Sequence, residues 1–349
     1  MTHPSGVLPR ILRAQFLSPM RAPTTATLNQ LRDASARPAT AVEIHLAEPG
    51  LVDARAAERF KGVFKALVEL TKPGVTRLVM VTALCGALAA PGEIEWLKVL
   101  VALFGTVLVV ASANALNMFL ERDVDAKMTR TATRPLPSGR ISPELAFRFG
   151  LGLAAVGLPL LTFAVNPASG LLAALALVSY VAIYTPLKRA SDFALHVGAV
   201  PGALPPVIGY AAVTGSVGKE ALLLFAILLV WQLPHFAAIT IFRREEYARA
   251  GLKVIAVQRG VAGAKRFIVF HSLMLLLVSL APTVLGVAGW AYFAIAACAG
   301  LAFVALGLHG AGLFGRRVAD DDRWAKVLFF SSMPYLVVLY AALVISIGA

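Results

Sequence analysis

Three polar residues, Asn117, Glu121 and Asp125, recur at every fourth position directly after a long apolar run. At about 100° per residue, positions i, i+4 and i+8 of a helix lie within about 80° of one another, so these side chains form one polar stripe. Mg²⁺ prefers oxygen ligands and binds through one or two carboxylates together with substrate phosphates. The stripe therefore predicts a Mg²⁺–phosphate site with Asn117, Glu121 and Asp125 as metal ligands.

Basic residues follow this stripe and supply positive charge for a phosphate group. They surround the rigid sequence RPLP and comprise Lys127, Arg130, Arg134 and Arg140. Such side chains bind phosphate oxygens through charge-assisted hydrogen bonds. We expect Lys127, Arg130 and Arg134 to stabilise a leaving phosphate. Asn114, one turn before the stripe, is a candidate substrate contact, whereas helical spacing directs Asp123 away from the stripe.

A plain interfacial loop is the alternative interpretation of this segment. The bases would then follow the preference for positive charge on the cytoplasmic side, and the acids would only neutralise them. That explanation does not account for Asn117 and Glu121, which continue the stripe into an apolar run. Polar groups at such a depth are costly and usually functional. The functional interpretation is therefore favoured for Glu121 and Asp125, and both interpretations stay open for Asn114.

A second charged segment, WQLPHFAAITIFRREEYARAGLKV, occupies 231–254. Its candidate substrate-binding residues are Arg243, Arg244, Glu246, Tyr247 and Lys253, and Glu246 is also a candidate metal ligand. A surface ion pair of Glu246 with Arg243 or Arg249 explains these residues equally well, and such pairs contribute little to stability.

Two histidines, His196 and His235, lie within apolar runs and are candidate substrate contacts. An imidazole at such a depth can ligate iron or position a ring through its neutral nitrogen. Pro234 precedes His235, and a proline inside a helix removes a hydrogen bond, which would leave room for a planar ligand. Buried packing is the alternative for both histidines.

The elements that position these residues are membrane-spanning helices. The chain has 349 residues, 58% hydrophobic and 15% charged, with a mean hydropathy of +0.77. Apolar runs of about 17–25 residues can cross a bilayer, and only helices satisfy their backbone groups there unless a barrel closes. We predict an all-α polytopic bundle of nine transmembrane helices near 75–91, 97–119, 145–166, 169–186, 192–213, 220–241, 265–288, 290–310 and 326–347.

The distribution of basic residues sets the predicted orientation and argues against nucleic acid as a partner. Net charge is +13, but only Lys98 and Lys219 lie in the connections after the odd-numbered spans, and the other bases after span 1 lie beside the even-numbered connections. Positive charge marks the cytoplasmic side. We therefore expect a cytoplasmic amino terminus, an outer carboxyl terminus and the chemistry on the inner face.

Residues 1–55 are predicted to be an extension outside the transmembrane domain, 56–349. Before Glu43 they contain five arginines but a single acid, Asp33. This composition is typical of a disordered bacterial extension, and it also suits an organellar transit peptide. The corresponding locations are a bacterial inner membrane and, as the alternative, the mitochondrial inner membrane.

Several motifs together resemble one family. Asn117-x3-Glu121-x3-Asp125 followed by RTATRPLPSGR resembles the acid-rich motif of the UbiA superfamily of intramembrane prenyltransferases. The variant here, with Met118 and Glu121, is similar to the protoheme IX farnesyltransferase branch. LTKPGVTRL at 70–78, PGALPPVIGYAAVTG at 201–215 and 231–253 carry the same resemblance. It covers about 60–345.

The resemblance implies a UbiA-type bundle that transfers farnesyl from farnesyl diphosphate to a vinyl group of haem B, with water addition, in the presence of Mg²⁺. It implies that Lys72 and Arg77, both in LTKPGVTRL, are further substrate contacts. Where the superfamily has aspartates in its second motif, this chain has Arg243 and Glu246, so one acid remains there. Haem A synthase or the terminal oxidase assembly machinery are the implied protein partners.

Two other functions remain as alternatives. A prenyltransferase acting on a quinone precursor or another acceptor would share the diphosphate site and differ only in acceptor contacts. A membrane transporter would also carry intramembrane polar residues. In this sequence the charged residues cluster on one side of the predicted membrane, and the middle spans lack the acidic residues of an ion pathway. Both features favour an enzyme over a transporter.

Overall fold

A computed structural model describes the backbone of residues 49–312 and 318–348, and side chains from 58 onward. In this part of the chain the structure is helical, with no strand. The helices are α1 Pro49–Leu70, α2 Pro73–Leu88, α3 Trp96–Asp125, α4 Pro143–Pro159, α5 Pro167–Val178, α6 Ala194–Thr214, α7 Lys219–Phe242, α8 Arg244–Arg249, α9 Ile255–Gln258, α10 Gly260–Val284, α11 Trp290–Ala311 and α12 Asp321–Gly348. The predicted extension, 1–55, lies almost wholly outside the described residues.

The spanning helices agree with the all-α membrane bundle that the sequence predicts. Eight helices of the described chain are long and apolar enough to cross a bilayer, and α2 is a shorter apolar helix of 16 residues. The predicted count of nine is therefore approximate, because it includes α2. The protein is a multi-pass membrane protein by the length and composition of these helices.

Helices that are neighbours in the chain pack together, and the last spanning helix, α12, also packs against α2 near the start of the described chain. α3 packs along α4, α7 along α10, and α10 along α11, while α12 contacts α7, α11 and α2. One apolar cluster joins α6, α7, α10, α11 and α12, and a second joins α3, α4, α5 and α6. α6 takes part in both clusters, so it connects the halves of the bundle.

Glycines permit the closest of these contacts, between α2 and α6. A Cβ on Gly86 would lie 1.8 Å from the carbonyl oxygen of Pro206, and a Cβ on Gly209 would lie 1.8 Å from the carbonyl oxygen of Ala83. Only glycine lets the two backbones approach so closely, as is usual where membrane helices pack through small residues. This contact fixes α2, and with it the loop before α2, against the bundle.

Two helices widen into π-helical turns at their ends. α4 continues as Leu160–Val165 and α5 continues as Ser179–Tyr184, followed by a short α-helical turn, Thr185–Leu187. Such turns are rare and often occur at functional sites. α7 continues through Pro234 as an α-helix, so the hydrogen bond that a proline removes does not break the helix here.

Candidate active site

The predicted polar stripe lies on the last turns of α3 and faces the interior. Asn114, Asn117, Glu121 and Asp125 are all buried. Asp123 points to solvent, with 72% of its side chain exposed and its nearest base, Arg122, 3.6 Å away. The helical spacing therefore separates Asp123 from the stripe, as the sequence predicts.

Asp125 forms an ion pair with Arg134 across a compact loop. The Arg134 Nη1 atom donates to the Asp125 Oδ2 atom at 2.7 Å, and the carboxylate is only 3% exposed. The Thr131 hydroxyl donates to the Asp125 backbone carbonyl at 2.7 Å, which holds the loop after α3. The structure thus brings Arg134 directly to the stripe.

Glu121 forms an ion pair with Lys188, a residue that our sequence analysis missed. Lys188 directly follows the π-helical end of α5 and its short terminal turn, and its ammonium also lies 5.3 Å from the Tyr184 ring. Burial, together with the positive charges of Lys72 and Arg189, lowers the pKa of Lys188 to about 7. The sequence did contain a signal for Lys188, because a basic residue directly follows an apolar run that ends in two tyrosines.

Lys72 reaches the stripe from the connection between α1 and α2. It has a φ of 48°, and it is the one described non-glycine residue with a positive φ, a conformation that costs energy for a side-chain-bearing residue. Its Nζ atom donates to the Asn117 Oδ1 atom at 3.3 Å. Burial is the main cause that lowers the pKa of Lys72 to about 8. The strained backbone at Lys72 thus coincides with its part-buried side-chain contact to Asn117.

The two asparagines are held in place by backbone and hydroxyl groups. The Asn117 Nδ2 atom donates to the Thr185 hydroxyl at 3.0 Å, and that hydroxyl donates to the Tyr180 carbonyl at 2.8 Å. Asn114 donates to the Thr71 carbonyl at 3.2 Å. The π-helical turn of α5 therefore fixes the Asn117 amide and leaves its oxygen directed at Lys72.

The second charged segment meets the first through Tyr247. This residue of α8 packs with Val124 and Met128, and burial raises its pKa, an effect that the nearby Arg130 and Arg134 oppose. The neighbouring Arg243 and Glu246 pair with each other at 3.0 Å. The short helix α8 thus lies beside the loop after α3.

Several predicted substrate contacts have other partners or lie at the surface. Arg244 pairs with Asp322 at the start of α12, and Arg140 binds both carboxylate oxygens of Glu69 at 3.0 and 2.6 Å, which lowers the pKa of Glu69. The side chains that the structure leaves exposed are Arg77, Lys127, Arg130 and Lys253. The Lys253 backbone N–H donates to the Lys188 carbonyl at 3.2 Å.

His235 lies in the apolar core. Its ring stacks between Trp231, at 4.5 Å, and Phe329, at 4.4 Å, and its Nδ1 atom is 2.6 Å from the Ser332 hydroxyl. We expected room for a planar ligand here, and in this structure aromatic rings stack on both faces of the imidazole, so His235 is packed as a core residue. His196 lies elsewhere, at the start of α6, beside His271.

An apolar cavity of about 100 Å³ extends from Asn114 into the bundle. α2, α3, α5 and α6 line it, with Val75, Val109, Leu177, Tyr180 and Pro205 among the walls. The polar stripe continues from the Asn114 end of this cavity toward the loop after α3. The arrangement suits an amphipathic molecule with a charged head and an apolar tail.

The stripe on α3 also has oxygen atoms that could bind a metal ion. Among the described residues no group of three His, Cys, Asp or Glu side chains forms a metal-binding cluster. The stripe instead offers two carboxylates and one amide oxygen, a donor set that suits Mg²⁺ when substrate phosphates and water complete the coordination. Glu246 pairs with Arg243 rather than with this set.

Comparison with known proteins agrees with this architecture. The model of the UbiA prenyltransferase family matches residues 78–333. A protoheme IX farnesyltransferase from Sorangium cellulosum is 50% identical over 244 residues, 70% of this chain and 85% of the relative. A protein of the same name from Anaeromyxobacter dehalogenans is 43% identical over 293 residues, 84% of this chain and 97% of the relative.

Solved structures share the fold at low sequence identity. A digeranylgeranylglyceryl phosphate synthase has a TM-score of 0.68 at 19% identity, covering 82% of this chain and 99% of its own. A UbiA homologue from Archaeoglobus fulgidus bound to DMAPP and Mg²⁺ has a TM-score of 0.58 at 16% identity, covering 79% and 98% of the two chains. From the family match and the closely similar relatives, this chain belongs to the UbiA prenyltransferase family, within the group that contains the protoheme IX farnesyltransferases.

Proposed function

We propose that this protein transfers the farnesyl group of farnesyl diphosphate to a vinyl group of haem B. Water adds in the same overall reaction, so the products are a hydroxyethylfarnesyl haem, haem O, and diphosphate. The observation that carries the proposal is a pair of buried carboxylates, each paired with a half-buried base, at the head of an apolar cavity. The names of the similar relatives supply the identity of the acceptor.

The bases of the site have the geometry to bind the diphosphate. Lys72, Lys188 and Arg134 approach the stripe from three separate segments, and each contacts one of its oxygens. A diphosphate that accepts hydrogen bonds from these groups gains charge-assisted bonds in a site largely shielded from water. Arg130 and Lys127 lie at the rim, where they increase the positive potential that a diphosphate meets.

The donor set of Asn117, Glu121 and Asp125 would hold Mg²⁺. When bound, Mg²⁺ would supply positive charge that stabilises the leaving diphosphate. The bases act on the same charge, because their hydrogen bonds strengthen as the bond between C1 and the diphosphate oxygen breaks. Glu246 is not included in this donor set, because it lies on the separate helix α8 and pairs with the adjacent Arg243.

The apolar cavity has two proposed roles. It holds the isoprenoid tail among aliphatic side chains and Tyr180, and it keeps water from the allylic cation until the vinyl group attacks C1. The attack leaves positive charge beside the porphyrin ring, and water captures that charge with loss of a proton. Asn114 lies where the polar stripe meets this cavity, close to the position that C1 would take.

The proposed function is tested by incubating the purified protein with haem B, farnesyl diphosphate and Mg²⁺. The expected product is a more strongly retained haem whose mass increases by one farnesyl group and one hydroxyl group. Samples without farnesyl diphosphate, or with EDTA, should give none. Prenylation of a quinone precursor but not of haem would replace the proposal, and transport without any prenyl product would exclude it.

A further inference from the structure

A second cavity, separate from the diphosphate site, lies between the starts of α6 and α10. Its volume is about 420 Å³, within the range of about 300–1,000 Å³ that small-molecule sites occupy. The residues that give it chemical character are His196, Arg259, Arg266, Phe267, Phe270 and His271. The cavity thus combines two imidazoles, two guanidinium groups and aromatic walls, which can bind a metal, an anion and a flat apolar ring respectively.

His271 has the hydrogen bond that prepares an imidazole to bind a metal. Its Nδ1 atom is 2.9 Å from the Phe267 carbonyl oxygen. Because a carbonyl only accepts hydrogen bonds, Nδ1 carries the proton and Nε2 keeps its lone pair. Histidines that ligate metals nearly always donate their other ring N–H in this manner, which fixes both tautomer and orientation.

His196 adds a second imidazole with an unsatisfied nitrogen. Its ring centroid lies 5.4 Å from that of His271. Its Nδ1 atom is buried and has no hydrogen-bond partner among the described residues. A buried polar atom without a partner is costly, and a ligand in the cavity is one way to satisfy it.

The rest of the cavity is suited to a flat apolar ligand that carries carboxylates. Phe193 stacks on His196 at 5.1 Å, and the Phe267 ring lies 3.9 Å from that of His271. Arg259 pairs with Asp192 at 2.5 Å, whereas Arg266 forms no ion pair within the described residues. Two bases against one acid leave a positive surplus for an anionic group.

Chain connectivity relates this cavity to the diphosphate site. His196 follows Lys188, the partner of Glu121, by eight positions. Arg259 follows the segment in which the Lys253 N–H bonds the Lys188 carbonyl. Both walls of the cavity therefore continue directly from residues at the diphosphate site, at the same end of the helices.

We propose that this cavity binds the acceptor haem, with His271 Nε2 as the iron ligand, His196 beside it, and Arg259 and Arg266 facing the propionates. The proposal rests on the proposed function, which makes haem B the acceptor. An iron porphyrin combines the three features for which the cavity has partners: a metal, a planar apolar ring and two carboxylates. It also replaces His235 as the acceptor contact.

Haem B and metal-free protoporphyrin IX are titrated into the full-length protein in nanodiscs, with absorbance in the Soret region as the readout. Wild type should prefer the iron porphyrin. His271→Ala should weaken haem binding about tenfold or more, as loss of a metal-orienting group does, and should abolish that preference. Arg266→Gln should weaken binding of both porphyrins. The matched control is His309→Ala, an exposed histidine at the end of α11.

Binding of farnesyl diphosphate, measured separately, should change less than about threefold in His271→Ala and His196→Ala, because neither lies in the diphosphate site. If wild type forms haem O but His271→Ala keeps wild-type haem affinity and metal preference, this assignment is wrong and the proposed function survives. Loss of haem in His235→Ala alone would also overturn it. If wild type forms no farnesylated haem, the proposed function itself fails.

Discussion

Replacement of Asp125 by asparagine is the most direct test of the stripe, because the helix provides its own control two positions away. Asp125→Asn keeps the size of the side chain and removes its charge. The carboxylate is 3% exposed and accepts a 2.7 Å hydrogen bond from Arg134. Asp123→Asn makes the same chemical change at a side chain that is 72% exposed and only 3.6 Å from Arg122.

The expected effect follows from these surroundings. As the proposed metal ligand with a hydrogen bond to the proposed phosphate contact Arg134, Asp125 would stabilise the transition state twice, directly and through Arg134. Removal of one such electrostatic group costs about 10²-fold in turnover, or about 3 kcal/mol. Asp123→Asn should change turnover by less than about twofold, because this exposed side chain points away from the stripe and its pair with Arg122 contributes little even to stability.

The assay is haem O formation at saturating haem, with farnesyl diphosphate and Mg²⁺ varied independently. Asp125→Asn should also raise the Mg²⁺ concentration that gives half-maximal rate. Thermal unfolding in detergent is measured alongside, since an unpaired Arg134 can destabilise the fold by itself. Equal losses at Asp123 and Asp125, or a rate within threefold of wild type for Asp125→Asn in a folded protein, would refute the stripe geometry.

Three further predictions follow from other parts of the molecule. Lys188→Met should lower kcat/KM for farnesyl diphosphate about 10²-fold, and a wild-type value would remove this residue from the diphosphate site. Gly86→Ala should lower the unfolding midpoint through a clash with the α6 backbone, costing about 1–3 kcal/mol, whereas Gly152→Ala, with nothing within 4 Å, should not. In a cysteine-free background, Ser138→Cys and Ser216→Cys should react with impermeant maleimide from opposite sides of the membrane, and labelling of both from one side would contradict the orientation.

The stripe on α3 was predictable because its residues belong to one helix. Periodicity places Asn117, Glu121 and Asp125 on a common face, and the same rule turns Asp123 away. No tertiary information is needed for that conclusion. The apolar runs are equally local signals, although they do not distinguish the 16-residue α2 from a full span.

Lys188 and the packing of His235 could not be predicted in the same way. Lys188 meets Glu121 because α5 ends in a π-helical turn, a backbone irregularity that the residue pattern does not encode. Pro234 removes one backbone hydrogen bond without breaking α7, and rings from α7 and α12 stack on both faces of the neighbouring imidazole. His271 was overlooked because it lies alone within an apolar run, and its partner His196 is distant in sequence.

The pairing of acids with bases is the feature that ties the proposed chemistry to the fold. Sequence spacing divides the site into acids for the metal and bases for the phosphate, whereas the structure pairs Asp125 with Arg134 and Glu121 with Lys188, and adds Lys72 through Asn117. Buried charges are tolerated only when they are compensated, so each ion pair lowers the cost of keeping its carboxylate inside the bundle. When Lys72 and Lys188 are both protonated, three bases against two acids leave a small positive surplus, less than the negative charge that a diphosphate carries. A divalent cation on the freed carboxylates would supply the remaining positive charge. For this reason we expect binding of farnesyl diphosphate to depend on Mg²⁺ in the wild type, and to depend on it much less in Asp125→Asn, where one negative charge is already removed.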